Sequence, residues 1–235
     1  MASRMVGLLE KYFYFCMSLL VFIVVVYGFS HTADRNLIHP AVARPLVLYV
    51  HALIFSGWVI FFILQSGFVI MGNVRLHRRI GWFGAVLGVA IPVLGISTAI
   101  TMARFRITYL HAVHVESDLI VQFFDMITFT VLFTLAIYWR KRPEFHRRLI
   151  LIASCGLTSA AFGRFPSQIM PSTFFYAGVD FLVLLGVTRD LIVKRFIHQV
   201  YVYSLPALIL GQCVVMYLSA HDSLNWSRIA RLILG

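Results

Sequence analysis

The chain has little charge and little cysteine. Only 12% of its 235 residues are charged, whereas 60% are hydrophobic and the mean hydropathy is +0.88. A soluble domain of this length has too little interior to bury so much apolar surface, so the composition excludes that class. The three cysteines lie inside apolar stretches without CxxC or Cys-His spacing, and this favours small buried side chains over a metal or redox motif.

Acidic residues are scarce as well. Nine Asp and Glu stand against 20 Lys and Arg, which gives a formal net charge of +11. Nucleic-acid binding needs a basic face on a soluble fold, but here the basic residues fall in short segments between apolar runs. They therefore predict topology signals and contacts with anionic lipid headgroups, and no nucleic-acid partner.

Motifs of known enzymes are missing. The sequence has no G-x-S-x-G, no P-loop, no H-E-x-x-H and no EF-hand. A seven-span zinc hydrolase would need a His-x-x-x-His face on its last span, where this chain has only His221. We therefore expect a non-enzymatic protein.

What the sequence does have is long apolar runs, and seven of them reach membrane-spanning length, about 17–25 residues. The first run is longer than the core of a signal peptide and no small-x-small site follows it, so we expect a retained span. The predicted fold is an all-α bundle of about seven transmembrane helices forming one domain over 1–235. The runs cover residues 12–30, 46–71, 80–103, 118–139, 147–164, 173–190 and 199–219.

Basic residues predict the orientation of this bundle. Thirteen of the 20 Lys and Arg fall in segments on the side of the N-terminus and seven on the other side. This excess predicts that the N-terminus lies in the cytoplasm. The membrane we expect is the cytoplasmic (inner) membrane. The tail at 222–235 is too short to cross, and Trp226, Ile229 and Ile233 share one helical face, which predicts a helix lying in the membrane interface.

The tripeptide His-Arg-Arg occurs twice, beginning at His77 and at His146. In the predicted topology both copies lie at the cytoplasmic border, between spans 2 and 3 and between spans 4 and 5. Arg pairs at such borders follow from electrostatics alone. Two alternatives remain open: two related helical hairpins, or a pair of ligands.

Polar residues within the predicted spans are the candidates for a binding site, because an ionisable group at membrane depth is costly unless it is paired or solvated. Most of them fall in the outer half of the bilayer, which predicts an outward-facing polar chamber for a small molecule or a lipid headgroup. A structural alternative is that Arg164 neutralises Asp125 or Asp180, and proton-coupled transport through these carboxylates is a third. The candidates are His51, Gln65, Asp118, Gln122, Asp125, Arg164 and Asp180.

Histidine pairs raise an alternative function, electron transfer by haem b. Two-haem membrane cytochromes hold one pair of histidines near each face, and neutral imidazole is a usual ligand of haem iron. His51 with His111 or His114 would form the outer pair, and His77 with His146 the inner pair. The inner pair requires that His77 and His146 converge in space.

Several stretches resemble a family of uncharacterised bacterial multi-pass membrane proteins with HRRxG and HRRL motifs. They are the span ending in YGFSH, HALIFSGWVIFFILQSGFVIMGNVRLHRRIGW, RPEFHRRLILIASCGLTSAAFGRFP and DFLVLLGVTRDLIVKRFIHQV. The resemblance covers most of the chain and implies a bacterial multi-pass membrane protein, without an activity. This chain departs from the pattern at His198-Gln199, where His-Pro is expected.

Overall fold

The computed structural model describes residues 2–112, 115–221 and 226–235, and in these ranges the chain is helical and forms no strand. The predicted all-α class is therefore confirmed. A short π-helical turn, Asp34–Ile38, and a 3-10 turn, Ser172–Phe174, lie in connections. The described α-helices are α1 (Ala2–Ser30), α2 (Leu46–Ile70), α3 (Val74–Leu110), α4 (Val115–Tyr138), α5 (Pro143–Gly156), α6 (Ser159–Phe162), α7 (Phe175–Lys194), α8 (Gln199–His221) and α9 (Trp226–Leu234).

Five helices in the described ranges are long and apolar enough to cross a membrane: α1 from Val6, α2, α3, α4 and α8. In lipid a helix satisfies its own backbone hydrogen bonds, so uninterrupted apolar runs take this form. The predicted spans 147–164 and 173–190 are not in this group. The first is divided, because α5 ends after 14 residues at Gly156 and α6 begins at Ser159. The second, α7, has 20 residues but carries four charged side chains.

Local sequence signals set the helix ends. The Asn73 side chain accepts a hydrogen bond from the backbone N–H of Leu76 at 3.1 Å and caps α3, directly after Gly72 at φ +74°. Pro143 is the first residue of α5, where its missing N–H costs nothing. Two turns, at 71–73 and 139–142, therefore join α2 to α3 and α4 to α5 as close antiparallel hairpins.

The core lies where these two hairpins meet α1 and α7. Trp58 packs edge-on against Phe129 and Phe133, with ring centroids at 5.3 and 5.6 Å, and its indole N–H donates to Ser154 Oγ at 3.3 Å. Gly88 lets the Phe133 ring approach α3, because a Cβ there would stand 2.1 Å from that ring. Large apolar side chains such as Trp82 remain exposed, as expected of a surface whose solvent is lipid.

The bundle has two chemically different ends. We call the end with the 71–73, 139–142 and 195–198 connections the basic end; there Lys194 bonds Glu10 at 2.8 Å. At the opposite end α9 packs on α3 and α4, and Arg104 donates to the carbonyls of Leu234 and Ile233 at 2.8 and 3.0 Å. A helix is thus present in the predicted tail, whose residues 222–225 lie outside the described ranges.

Candidate functional site

The two histidines of the repeated tripeptide converge at the basic end. The ring centroids of His77 and His146 are 6.3 Å apart and the ring planes meet at 81°. His77 Nδ1 lies 3.4 Å from the carbonyl of Gln65, and His146 Nδ1 lies 2.9 Å from that of Ala136. Each histidine thus ties the start of the second helix of its hairpin to the end of the first.

These hydrogen bonds select one tautomer of each neutral imidazole ring. A backbone carbonyl accepts a proton from Nδ1, so the neutral ring keeps its lone pair on Nε2. No hydrogen bond joins the Nε2 of His77 or His146 to another group in the described ranges. Nearby, both atoms of the Gln65 side-chain amide are buried, and no described residue bonds them. Nε2 of each neutral ring is therefore available as a hydrogen-bond acceptor, and the described residues contain no group of three or more His, Cys, Asp or Glu side chains that could hold a metal ion.

The outer histidines do not form a comparable pair. His51 stacks on Phe55 with ring centroids 3.9 Å apart, and its buried Nδ1 has no partner among the described residues. His111 is exposed at the end of α3, in the left-handed conformation with φ 49°. His114 lies outside the described residues.

Two of the predicted chamber carboxylates lie close to one another, between α4, α6, α7 and α8. Asp125 accepts hydrogen bonds from Ser159 Oγ at 2.6 Å and from Tyr176 OH at 2.8 Å. Asp180, one turn after Tyr176, accepts one from Gln212 Nε2 at 3.1 Å. Each carboxylate therefore has neutral protein donors of its own.

The remaining chamber candidates lie elsewhere. Asp118 pairs with Arg106 at 2.8 Å and its side chain is 51% exposed. Gln122 is exposed, and Gln65 belongs to the basic end. Arg164 donates to the carbonyl of Ala160 and covers the Phe29 ring at 4.4 Å, so its described partners do not include Asp125 or Asp180.

The most deeply buried charges belong to a cluster that sequence reasoning did not assemble. Arg148 donates a bidentate pair of hydrogen bonds to the Asp190 carboxylate, from Nε and Nη2, both at 2.7 Å. Arg189 adds a third bond to Asp190 at 2.9 Å, and Arg148 Nη1 bonds Glu144 Oε2 at 2.5 Å. The side chains of Arg148 and Asp190 are 1% and 0% exposed. Charges so buried persist only when they are paired and hydrogen-bonded, as these are.

The surroundings of this cluster tune its outermost member, Glu144. Partial burial alone would raise the pKa of Glu144, but hydrogen bonds from Arg148 and Arg147 and their charges outweigh it and lower the pKa to about 2. Glu144 thus stays ionised at every physiological pH and neutralises part of the guanidinium charge.

A sequence signal for the cluster did exist. Arg189 and Asp190 close an otherwise apolar run, and Arg148 ends the second His-Arg-Arg. Arg148 and Arg189 lie next to predicted membrane borders, where basic residues are typical topology signals. Only the fold shows that Arg148 and Asp190, 42 positions apart, point inward at one another.

An apolar groove of about 570 Å³ runs between α4, α5 and α8. It opens on the side of the bundle, where its lining residues Ile127, Val131 and Tyr203 are exposed. Its walls include Ile127 and Val131 of α4 and Ala207 of α8. Its polar end lies at the basic end of the bundle, where Trp139, Arg142 and Gln199 meet. Since 15 residues separate Phe124 from Trp139 along α4, the groove is roughly 22 Å long.

Comparison with protein-family models, curated proteins and solved structures finds no match to this chain.

Proposed function

We propose that this chain is a non-enzymatic membrane protein that binds an anionic amphiphile in the groove between α4, α5 and α8. The observation that carries the proposal is the pairing of an apolar, laterally open groove with Arg142 at its end. The acyl chain lies along α4 and the anionic head meets Arg142 and Gln199. Trp139 lies at the same end of the groove as Arg142, and tryptophan is enriched at membrane interfaces, which supports a headgroup position there.

The topology we propose has the N-terminus in the cytoplasm of a bacterial cell, with α5–α6 and α7 crossing together with the five apolar helices. The positive-inside excess supports this orientation, and it places the basic end, with Arg142, among the anionic headgroups of the inner leaflet. Burial of Arg148 and Asp190 against each other supports a membrane-embedded α7, because the two charges cancel within the bundle.

The groove is a better ligand site than the predicted outward chamber for a physical reason. Asp125 and Asp180 already receive hydrogen bonds from Ser159, Tyr176 and Gln212, so a ligand would have to displace these donors. The groove is lined mainly by apolar side chains, which offer no hydrogen bonds that a hydrocarbon chain would break.

The test measures the lipid that remains bound after purification in mild detergent. Ala207→Trp places a large ring in the groove, whereas Leu210→Trp adds the same ring on a face of α8 that is 67% exposed and outside the groove. We expect Ala207→Trp to lose most of the bound lipid, and Leu210→Trp to retain it. Equal lipid content in both variants and in the wild type would contradict the proposal.

Head-group preference is tested by a second pair of variants. Arg142→Gln should reduce the preference for anionic over zwitterionic lipid about fivefold, since one basic residue near the surface is worth about 1 kcal/mol. Arg140→Gln, two positions away and outside the groove lining, should leave the preference unchanged. An equal effect of the two would show that only overall charge matters.

Haem binding is the second candidate, and the convergence of His77 and His146 favours it. The two ring centroids lie 6.3 Å apart, so His77 and His146 would be the residues to hold a shared haem iron, which would supply electron transfer. Arg78 and Arg147, which neighbour the two histidines in sequence, supply positive charge for propionates. The inner pair would hold the iron and the outer histidines would not.

A visible spectrum of the purified protein, before and after dithionite, tests this candidate. A Soret band that sharpens on reduction and disappears in His77→Ala and in His146→Ala would support it. His221→Ala is the control, because His221 is exposed at the end of α8. A colourless protein without iron would end the haem proposal and leave the two histidines as ties within the hairpins.

A further inference from the structure

Buried hydrogen-bond donors without a partner collect beside the Arg148–Asp190 pair. Within the described ranges no group accepts from Arg189 Nε, Arg189 Nη2, Arg147 Nε, Tyr14 OH or Tyr201 OH. An unsatisfied buried donor costs about 1–3 kcal/mol, and more when it is charged. So many in one place point to an acceptor that the protein itself does not supply.

These donors come from four helices and lie near one another. The guanidinium carbons of Arg147 and Arg189 lie 5.2 and 5.5 Å from the centroid of the Tyr14 ring, so the three side chains are in contact with one another. Tyr201 OH approaches α7 at Gly186, where a Cβ would be only 2.2 Å away. Gly186 precedes Arg189 by one turn, so the Tyr201 hydroxyl reaches the same face of α7.

The charges of this group do not balance. Arg147, Arg148 and Arg189 face two carboxylates, Glu144 and Asp190, which leaves one positive charge in excess. Both carboxylates already accept bonds from Arg148. Lys194 and Glu10, also at the basic end, form a pair that is neutral in itself.

We propose that Arg147, Arg189, Tyr14 and Tyr201 bind a phosphate group. Guanidinium forks match phosphate oxygens in paired hydrogen bonds of about 2.7–2.9 Å, and three acceptor oxygens use most of the five vacant donors. Tyr14 on α1, which is only partly buried, and Tyr201 on α8 complete the set with their vacant hydroxyls. The negative charge of the phosphate removes the excess positive charge.

Two sources carry this chemistry: the headgroup phosphate of a membrane lipid and free inorganic phosphate. The site lies near the start of the apolar run of α1 and at the end of α7, the level of headgroups in the proposed topology. It is separate from the groove, because neither Arg147 nor Arg189 lines the groove.

The experiment titrates the full-length protein in mild detergent, by calorimetry, with inorganic phosphate and separately with short-chain phosphatidic acid. We expect saturable binding of at least one ligand, weakened about tenfold or more in Arg147→Gln, because a hydrogen bond to a charged group contributes about 1.5–3 kcal/mol. Arg147→Lys should be intermediate, since it keeps the charge and loses the fork. Binding of inorganic phosphate identifies a site sufficient for the free ion, and binding of the lipid alone identifies a headgroup site.

Matched variants keep this test apart from that of the groove. Arg147 is preferred to Arg189 for substitution, because Arg189 also bonds Asp190 and its loss threatens the fold. Ala207→Trp should abolish lipid retention in the groove and leave the phosphate titration unchanged. Absence of binding in folded wild-type protein, or binding that Arg147→Gln leaves intact, would overturn the phosphate site whatever the fate of the groove.

Discussion

Replacement of Asp190 by asparagine tests the buried cluster most directly. Asp190 accepts three hydrogen bonds from two buried guanidiniums, at 2.7, 2.7 and 2.9 Å. The asparagine removes the counter-charge and retains one acceptor oxygen. Breaking a buried ion pair from one side costs about 3–5 kcal/mol, and we expect a loss near 3 kcal/mol because part of the hydrogen bonding survives.

Two further Asp→Asn changes calibrate this value, since all three remove the same charge. Asp180 accepts one bond from a neutral amide, so Asp180→Asn should cost about 1 kcal/mol. Asp118 is half exposed and pairs with Arg106 at the surface, so Asp118→Asn should cost about 0–1 kcal/mol. The free energy of unfolding is measured by titrating SDS into protein in mild detergent.

The expected order is Asp190 far above Asp180, with Asp118 the smallest. A loss below about 1 kcal/mol for Asp190→Asn, in protein that still purifies as a single folded species, would refute the argument. It would mean that water reaches the cluster, and that Arg148 and Arg189 are solvated rather than held by Asp190.

Two other predictions concern packing and acid stability. Gly28→Ala should destabilise the bundle, because its Cβ would stand 2.3 Å from the backbone oxygen of Ala161 and force α1 away from α6. Gly57→Ala meets nothing within 4 Å and should be neutral or stabilising by up to about 1 kcal/mol, as measured in the same SDS titration. Glu144 has a pKa lowered from 4.5 to about 2, so its stabilising contribution is complete above pH 4.5 and is lost as the pH falls towards 2. The midpoint temperature of thermal unfolding should therefore fall more steeply between pH 5 and pH 2.5 for the wild type than for Glu144→Gln.

The outcomes of this last group are separable. If Gly28→Ala and Gly57→Ala shift stability equally, close contact between α1 and α6 is not what the glycine provides. If Glu144→Gln retains the full acid dependence of the wild type, other carboxylates govern it.

The sequence predicts the long apolar helices well because lipid leaves the backbone no alternative to helix once an apolar run is long enough. It does not predict the break between α5 and α6, where Leu157 and Thr158 interrupt a run that hydropathy treats as continuous. Hydropathy averages over a window, whereas a helix ends at individual residues.

The candidate site was predictable only in part. The repeat of His-Arg-Arg singled out His77 and His146, and the fold brings them together. Arg148 and Asp190 escaped prediction, because which way a border arginine points depends on helix packing rather than on composition. Arg164 illustrates the converse: its charge suggested a carboxylate partner, yet it covers Phe29.

The length of α3 has a consequence for the membrane itself. Its arginines at Arg79 and Arg104 enclose 24 residues without a charge, a helical length of about 36 Å. A hydrocarbon layer is only about 30 Å thick, so fitting the whole apolar run within that layer requires a tilt of roughly 35°. Arg104 is also hydrogen-bonded to α9, so the position of this end of α3 is fixed. The tilt of α3 should therefore depend on bilayer thickness: lipids with longer acyl chains should decrease the tilt, and lipids with shorter chains should increase it.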